Sequence, residues 1–156
     1  MRILRLKEVK RKTGLSSSSI YKYLKLGEFP ESTRLGGSVG WNEAKLDFWI
    51  AQRIRDRDSA PNNAKHVSPW AIILTEDNFS DSDLRVVRIE QVMRITGLAR
   101  STVYKYIEDW SFPRQIKLTG ACKGWLEAEI SYWLATVKLQ KAPLPRNQVA
   151  ESPKAA

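Results

Sequence analysis

The chain has 156 residues, 42% of them hydrophobic and 28% charged, which is enough to build well-buried apolar cores. Its 26 Lys+Arg against 17 Asp+Glu give a net charge of +9, a balance that favours polyanionic partners, either nucleic acid or an anionic lipid surface. A single cysteine, Cys122, and a single histidine, His66, exclude an intramolecular disulfide, a zinc site built on several thiolates and the usual nucleophile–base sets.

Leu6, Val9 and Thr13 recur at helical spacing in a segment rich in Lys and Arg, and predict a short first helix. Gly14 closes it, Leu15 anchors a turn, and Ser16 is a good N-cap for a second helix over about Ser17 to Lys25, stopped by Gly27. Two short helices across a tight glycine turn are the helix-turn-helix pattern. At about 100° per residue, Ile20, Tyr23, Leu24 and Gly27 fall on one side of the second helix, and Ser18, Tyr21, Lys22 and Lys25 on the other. The first side is expected to be core. The second has the small polar, aromatic and basic chemistry that reads base edges and phosphates in a major groove. Phe29-Pro30 ends the helical stretch. Thr33 to Leu35, Gly36 to Ser38 and Val39 to Trp41 then read as strand, turn and strand, a hairpin short enough to serve as a wing. Asn42 caps a third helix with an apolar stripe of Leu46, Trp49, Ile50 and Ile54.

The same series returns further along the chain. Arg5 to Leu15 aligns with Arg88 to Leu98, Ser18 to Leu24 with Ser101 to Ile107, and Phe29-Pro30 with Phe112-Pro113. Leu35 and Gly37 match Leu118 and Gly120; after a one-residue insertion, Gly40-Trp41, Glu43-Ala44 and Trp49 match Gly124-Trp125, Glu127-Ala128 and Trp133. Self-similarity sets the domain count. It gives one module at 1–58, a linker at 59–84, a second module at 85–140 and a disordered tail at 141–156. Two copies are too few for a solenoid, so each module is expected to carry its own core. In the second, the core stripe of the last helix is Ile130, Trp133, Leu134 and Val137. Within the linker, Trp70 to Leu74 is apolar enough to pack as a short strand, and Glu76 to Asp83 is acidic. The modules hold the positive charge, 13 Lys+Arg against 7 Asp+Glu in the first and 9 against 5 in the second, whereas the linker has 1 against 4.

Leu6-Lys7-Glu8-Val9, then Thr13-Gly14-Leu15-Ser16 with Ser18, Ile20 and Tyr21, then Phe29-Pro30, and a glycine hairpin leading into Gly40-Trp41 and Trp49-Ile50-Ala51 resemble the AlpA family of prophage regulators. They are similar, more distantly, to excisionases and to the MerR-type DNA-binding domain. The resemblance covers both modules and leaves out the linker and tail. It implies a mainly α fold with small β-hairpin wings, that is, two tandem winged helix-turn-helix domains, and sequence-specific binding of double-stranded DNA. Two features depart from the family pattern. The basic residue expected after the capping serine is Arg100 in the second module but Ser17 in the first. The second module also has Ala99 and Leu126 where the first has the caps Ser16 and Asn42, and a lost cap costs about 0.5–2 kcal/mol.

The expected DNA contacts are Ser17, Ser18, Tyr21, Lys22 and Lys25 on the first reading helix and Arg34 and Ser38 on its wing. In the second module they are Arg100, Ser101, Thr102, Tyr104 and Lys105, with Lys117 and Lys123 on the wing. Tyr23, Tyr106 and the four matched tryptophans are assigned to the core, and at least one of Lys10, Arg11 and Lys12 to phosphate contact. Glu43 and Glu127 lie in the first turn of the third helices, where the helix dipole accounts for them better than acid–base chemistry. Cys122 is an ordinary strand residue and His66 has no partner for catalysis.

The charged start from Met1 to Lys7 is no signal peptide, and no run approaches the ~18 apolar residues of a membrane helix. The expectation is a cytoplasmic regulator of phage or mobile-element genes, acting positively as an activator or antiterminator. It would not be an enzyme, and would use no metal, cofactor, membrane or small-molecule substrate. RNA polymerase or an integrase is the expected protein partner. A linker of this length reaches at most ~90 Å, so tethering would raise avidity for two half-sites. The alternatives are an excisionase-like directionality factor that bends DNA, and a protein-interaction module.

Overall fold

The computed structural model describes residues 1–60 and 84–137; the expected linker strand at Trp70–Leu74, the acidic stretch Glu76–Asp83, His66 and the tail lie outside them. The elements in chain order are β1 (Ile3–Leu4), α1 (Leu6–Thr13), α2 (Ser17–Lys25), β2 (Ser32–Leu35), β3 (Ser38–Asn42) and α3 (Glu43–Ser59). The second repeat follows with β4 (Val86–Val87), α4 (Ile89–Thr96), α5 (Arg100–Glu108), β5 (Ile116–Thr119), β6 (Cys122–Leu126) and α6 (Glu127–Val137). The architecture is therefore mixed among the described residues: helices, and in each repeat a small antiparallel sheet of order β1-β3-β2 or β4-β6-β5.

The strand that opens each repeat was not expected from the sequence. Two residues are too few to show an alternation, and what creates the strand is a glycine elsewhere. Ile3 and Leu4 pair with Asn42 and Trp41, so β1 runs tightly along Gly40; a Cβ on Gly40 would stand 2.4 Å from Ile3 Cγ2, and one on Gly124 would stand 2.5 Å from Val86 Cγ1. Only glycine admits such an approach. The same seam fixes the third helix, since the Glu43 N–H donates to Arg2 O at 3.0 Å and the Glu127 N–H to Arg85 O at 2.8 Å.

Inside each repeat the helix pair is closed in the same way. Thr13 and Thr96 donate to the carbonyls of Val9 and Val92, and accept from the N–H groups of Leu15 and Leu98 across the turn. Trp49 and Trp133 donate their indole N–H to Glu28 O and Ser111 O, tying the last helix to the loop after the helix pair. Trp41, Trp125, Ile20 and Val103 are fully buried, as expected of core positions. Trp49 and Tyr106 are only half-buried, Gly27 is exposed beyond the end of α2, and Val137, placed in the core stripe from its spacing, is exposed in the last turn of α6.

The largest correction concerns the cores. Val92, Val103, Phe112, Trp125, Ile130 and Trp133 form a core within the second repeat. The first repeat's core, by contrast, is continuous with Leu84, Val86, Ile116, Leu118 and Leu126 of the second. The hairpin β5–β6 lies against the first repeat with its turn at Tyr23, whose hydroxyl would stand 2.6 Å from a Cβ on Gly120. Arg57, near the end of α3, donates two hydrogen bonds of 2.8 Å to the two carboxylate oxygens of Glu129 on α6 and a third, of 3.1 Å, to Arg114 O. Burial alone would favour the neutral guanidine, but the hydrogen bonds and charge of Glu129, then of Asp58, hold Arg57 above its ordinary pKa. The repeats thus pack directly on one another, and the linker length does not set their separation.

Candidate nucleic-acid interface

α2 begins on a full cap. Ser16, with extended backbone, accepts from the Ser19 N–H at 3.2 Å, and its hydroxyl also meets those of Ser18 and Ser19. Burying Ile20 and Tyr23 turns Ser18, Tyr21, Lys22 and Lys25 to solvent, with Ser17 half-buried at the helix start. Tyr21 is 45% exposed, and its ring stands 6.3 Å from that of the buried Trp41, so a core residue supports it from beneath. Arg34 and Ser38 are exposed on the first hairpin.

The second repeat copies this layout with different side chains. Arg100, Ser101, Tyr104 and Lys105 are exposed on α5, Thr102 is half-buried, and Tyr104 lies 6.4 Å from Trp125 just as Tyr21 lies over Trp41. Ala99 occupies the cap position with extended backbone and no side-chain hydrogen bond, as its sequence implied. Lys117 and Lys123 face each other across β5–β6 and are exposed, while Ile116, Leu118 and Thr119 of the same hairpin are buried. One face of the second hairpin is therefore taken up by the contact between repeats. Lys117 lines the cleft there, of about 570 Å³, beside Arg53 and Arg114.

Of the three basic residues at the end of α1, Lys10 and Arg11 are exposed. Lys12 turns inward, with its ammonium 2.7 Å from Asp47 and 3.7 Å from Glu43. Glu43 is thus part of an ion-pair cluster at the start of α3 that also includes Arg2 at 3.5 Å, and Glu127 pairs with Arg85 at 2.9 Å. A second basic surface was missed from sequence: Arg85, Arg88 and Arg94 stand across a groove from Lys10 and Arg11. Nothing in the linear pattern brings these two sets together; only the packing of α1 against the start of the second repeat does.

A family model described as "Prophage CP4-57 regulatory protein (AlpA)" matches the chain twice, over residues 2–54 and 85–139. The chain belongs to the AlpA family. Each AlpA match takes in one helix pair, one hairpin and the helix that follows. Among curated proteins, the chain is 41% identical over 51 residues to an uncharacterized protein, ORF88, of Enterobacteria phage P4; that alignment covers 33% of this chain and 58% of the phage protein. It is 42% identical over 60 residues to "DNA-binding transcriptional activator AlpA" of Escherichia coli strain K12, covering 35% of this chain and 86% of that protein. Each alignment accounts for about one AlpA repeat of the two. No solved structure matches the chain. Among the described residues no helix is long and apolar enough to cross a membrane, and no group of three or more His, Cys, Asp and Glu side chains could hold a metal ion.

Proposed function

We propose that the chain is a sequence-specific DNA-binding transcriptional regulator, each AlpA repeat acting as a winged helix-turn-helix with α2 or α5 in a major groove. The observation that carries this is the two-sidedness of those helices: apolar side chains are buried beneath, and Ser18, Tyr21, Lys22 and Lys25, or Arg100, Ser101, Tyr104 and Lys105, stand outward on a rigid support. Hydroxyls and tyrosine rings on such a face meet sugar and base edges, while lysines and arginine meet phosphates. Arg34 and Ser38 are the contacts of the first wing. Lys117 and Lys123 are the contacts of the second wing, both exposed, with Lys117 at the edge of the cleft between the repeats.

Activation of phage or mobile-element genes is the favoured mode, supported by the K12 relative's description as a DNA-binding transcriptional activator. The two reading faces differ, with Ser17 in one where Arg100 stands in the other, so the two half-sites differ in sequence. Selection of bound duplexes from a random pool, followed by footprinting, tests the proposal. The expected result is two unlike half-sites and an affinity that falls steeply with salt. An affinity for duplex that does not change with salt would refute it.

A further inference from the structure

We infer that the groove between α1 of the first repeat and the start of the second is a further binding site for the phosphate backbone of a duplex, one that a single repeat does not possess. The inference rests on the DNA-binding reading above.

The groove has a volume of about 420 Å³. Lys10 and Arg11 come from the last turn of α1, Arg85 and Arg88 flank β4, and Arg94 lies in the last turn of α4; among the described residues Glu90 is the one carboxylate lining it. Two of the charges are already engaged: Arg85 pairs with Glu127 at 2.9 Å, and Glu90 with Arg100 at 3.4 Å. Lys10, Arg11, Arg88 and Arg94 form no ion pair among the described residues. Four like charges gathered along one groove repel one another, and the contact between repeats holds them there; a polyanion relieves that repulsion. The groove is also built rather than loose. The Arg85 guanidinium donates to Arg11 O at 3.2 Å, and the stem of Arg88 lies on Gly14, where a Cβ would come within 3.0 Å of Arg88 Cγ.

Position identifies the occupant. Gly14 and Leu15 line the groove and lead directly into Ser16, the cap of α2. On the opposite wall, Glu90 holds Arg100, the first residue of α5. The groove therefore runs between the starting ends of the two reading helices, where the strand of a duplex engaged by both would pass. Guanidinium groups suit this task because their fork of N–H donors matches phosphate oxygens.

The test compares three full-length proteins on one mixed-sequence duplex across a salt series. Lys10→Gln with Arg94→Gln removes two exposed groove charges. Lys45→Gln with Arg55→Gln removes two exposed charges from α3 and so lowers the net charge equally. The groove variant is expected to flatten the slope of log affinity against log salt by about 1–2, at ~0.9 for each phosphate no longer neutralised, with the α3 variant close to wild type. Circular dichroism melts establish that all three are folded. If the groove variant keeps the wild-type slope, or the α3 variant flattens it equally, the groove assignment is overturned while the DNA-binding reading stands. If wild type itself shows no salt-dependent affinity, both fall.

Discussion

Replacing Glu129 by Gln is the sharpest test of how the two repeats are joined. The side chains of Arg57 and Glu129 are 5% and 1% exposed, and the pair is bidentate. The substitution keeps shape and volume but leaves a buried guanidinium without its main counter-charge. Breaking a buried pair from one side costs about 3–5 kcal/mol. The lower end applies here, because Asp58 stays 2.8 Å from Arg57 Nε, although its half-exposed carboxylate is screened by solvent. In urea, with an m-value of roughly 2 kcal/mol/M, a loss of ~3 kcal/mol lowers the unfolding midpoint by about 1.5 M. Removing both charges together, as Arg57→Met with Glu129→Leu, should recover most of that loss, since an apolar pair of similar size replaces a buried ion pair at little cost. The readout is the far-UV circular dichroism transition of wild type and the two variants. A Glu129→Gln midpoint within about 0.3 M of wild type would refute the reasoning, because the pair could not then be buried and the repeats could not be packed as described.

Two further predictions come from differences between the repeats. Ala99 has the backbone of a helix cap (φ −72°, ψ 153°), close to that of Ser16 (φ −74°, ψ 160°), but no side chain to accept a hydrogen bond. Ala99→Ser should therefore stabilise the protein by about 0.5–1 kcal/mol, and Ser16→Ala should destabilise it by a similar amount, both measured by urea denaturation. Trp110 has φ of +57°, where the first repeat has Gly27 at +73°. A left-handed backbone costs a non-glycine residue about 1–2 kcal/mol, a strain separate from the contacts of the Trp110 ring, on which Arg114 stacks at 5.1 Å. Trp110→Gly should therefore be more stable than Trp110→Ala by about 1 kcal/mol, since both lose the ring and only glycine is relieved of the strain; equal denaturation midpoints for the two variants would count against it.

The residues that form local structure were legible in the sequence. Leu6, Val9 and Thr13 marked α1 by their period, Ser16 and Gly14 marked its turn, and the burial of Ile20 and Tyr23 followed from the same wheel that exposed Tyr21 and Lys22. These features depend on neighbours within a few residues. What could not be read was anything decided by the meeting of distant segments. The strands β1 and β4 exist because Gly40 and Gly124 let a two-residue segment lie close against them. Lys12, one of three adjacent basic residues, is withdrawn from solvent by Asp47, on a helix that begins far along the sequence. Leu126 is the most instructive case. Read locally it is a lost helix cap beside Asn42, but it is buried in the core that the two repeats share. The change gives up a hydrogen bond at the start of α6 and gains apolar burial between repeats, and only the second effect explains why leucine stands there.

The same comparison explains why the contact between repeats has a direction. At matched positions, Thr33, Asn42 and Lys45 of the first repeat become Ile116, Leu126 and Glu129 of the second. All three changes act at the interface: Ile116 and Leu126 enter the shared core, and Glu129 meets Arg57. The second hairpin is thus made apolar on the face with which it meets the first repeat, whereas the first hairpin keeps Thr33 and Arg34 exposed to solvent. A contact between unlike faces of like units is open-ended in principle, since each copy could dock its hairpin on another and extend a filament. Where the second hairpin has Ile116 the first has Thr33, although Leu35, the counterpart of the buried Leu118, is exposed beside it, so the free face is less apolar than the docked one without being wholly polar. Divergence between the copies therefore builds the contact on the second hairpin and leaves the first hairpin, together with the outward faces of α2 and α5, open to solvent.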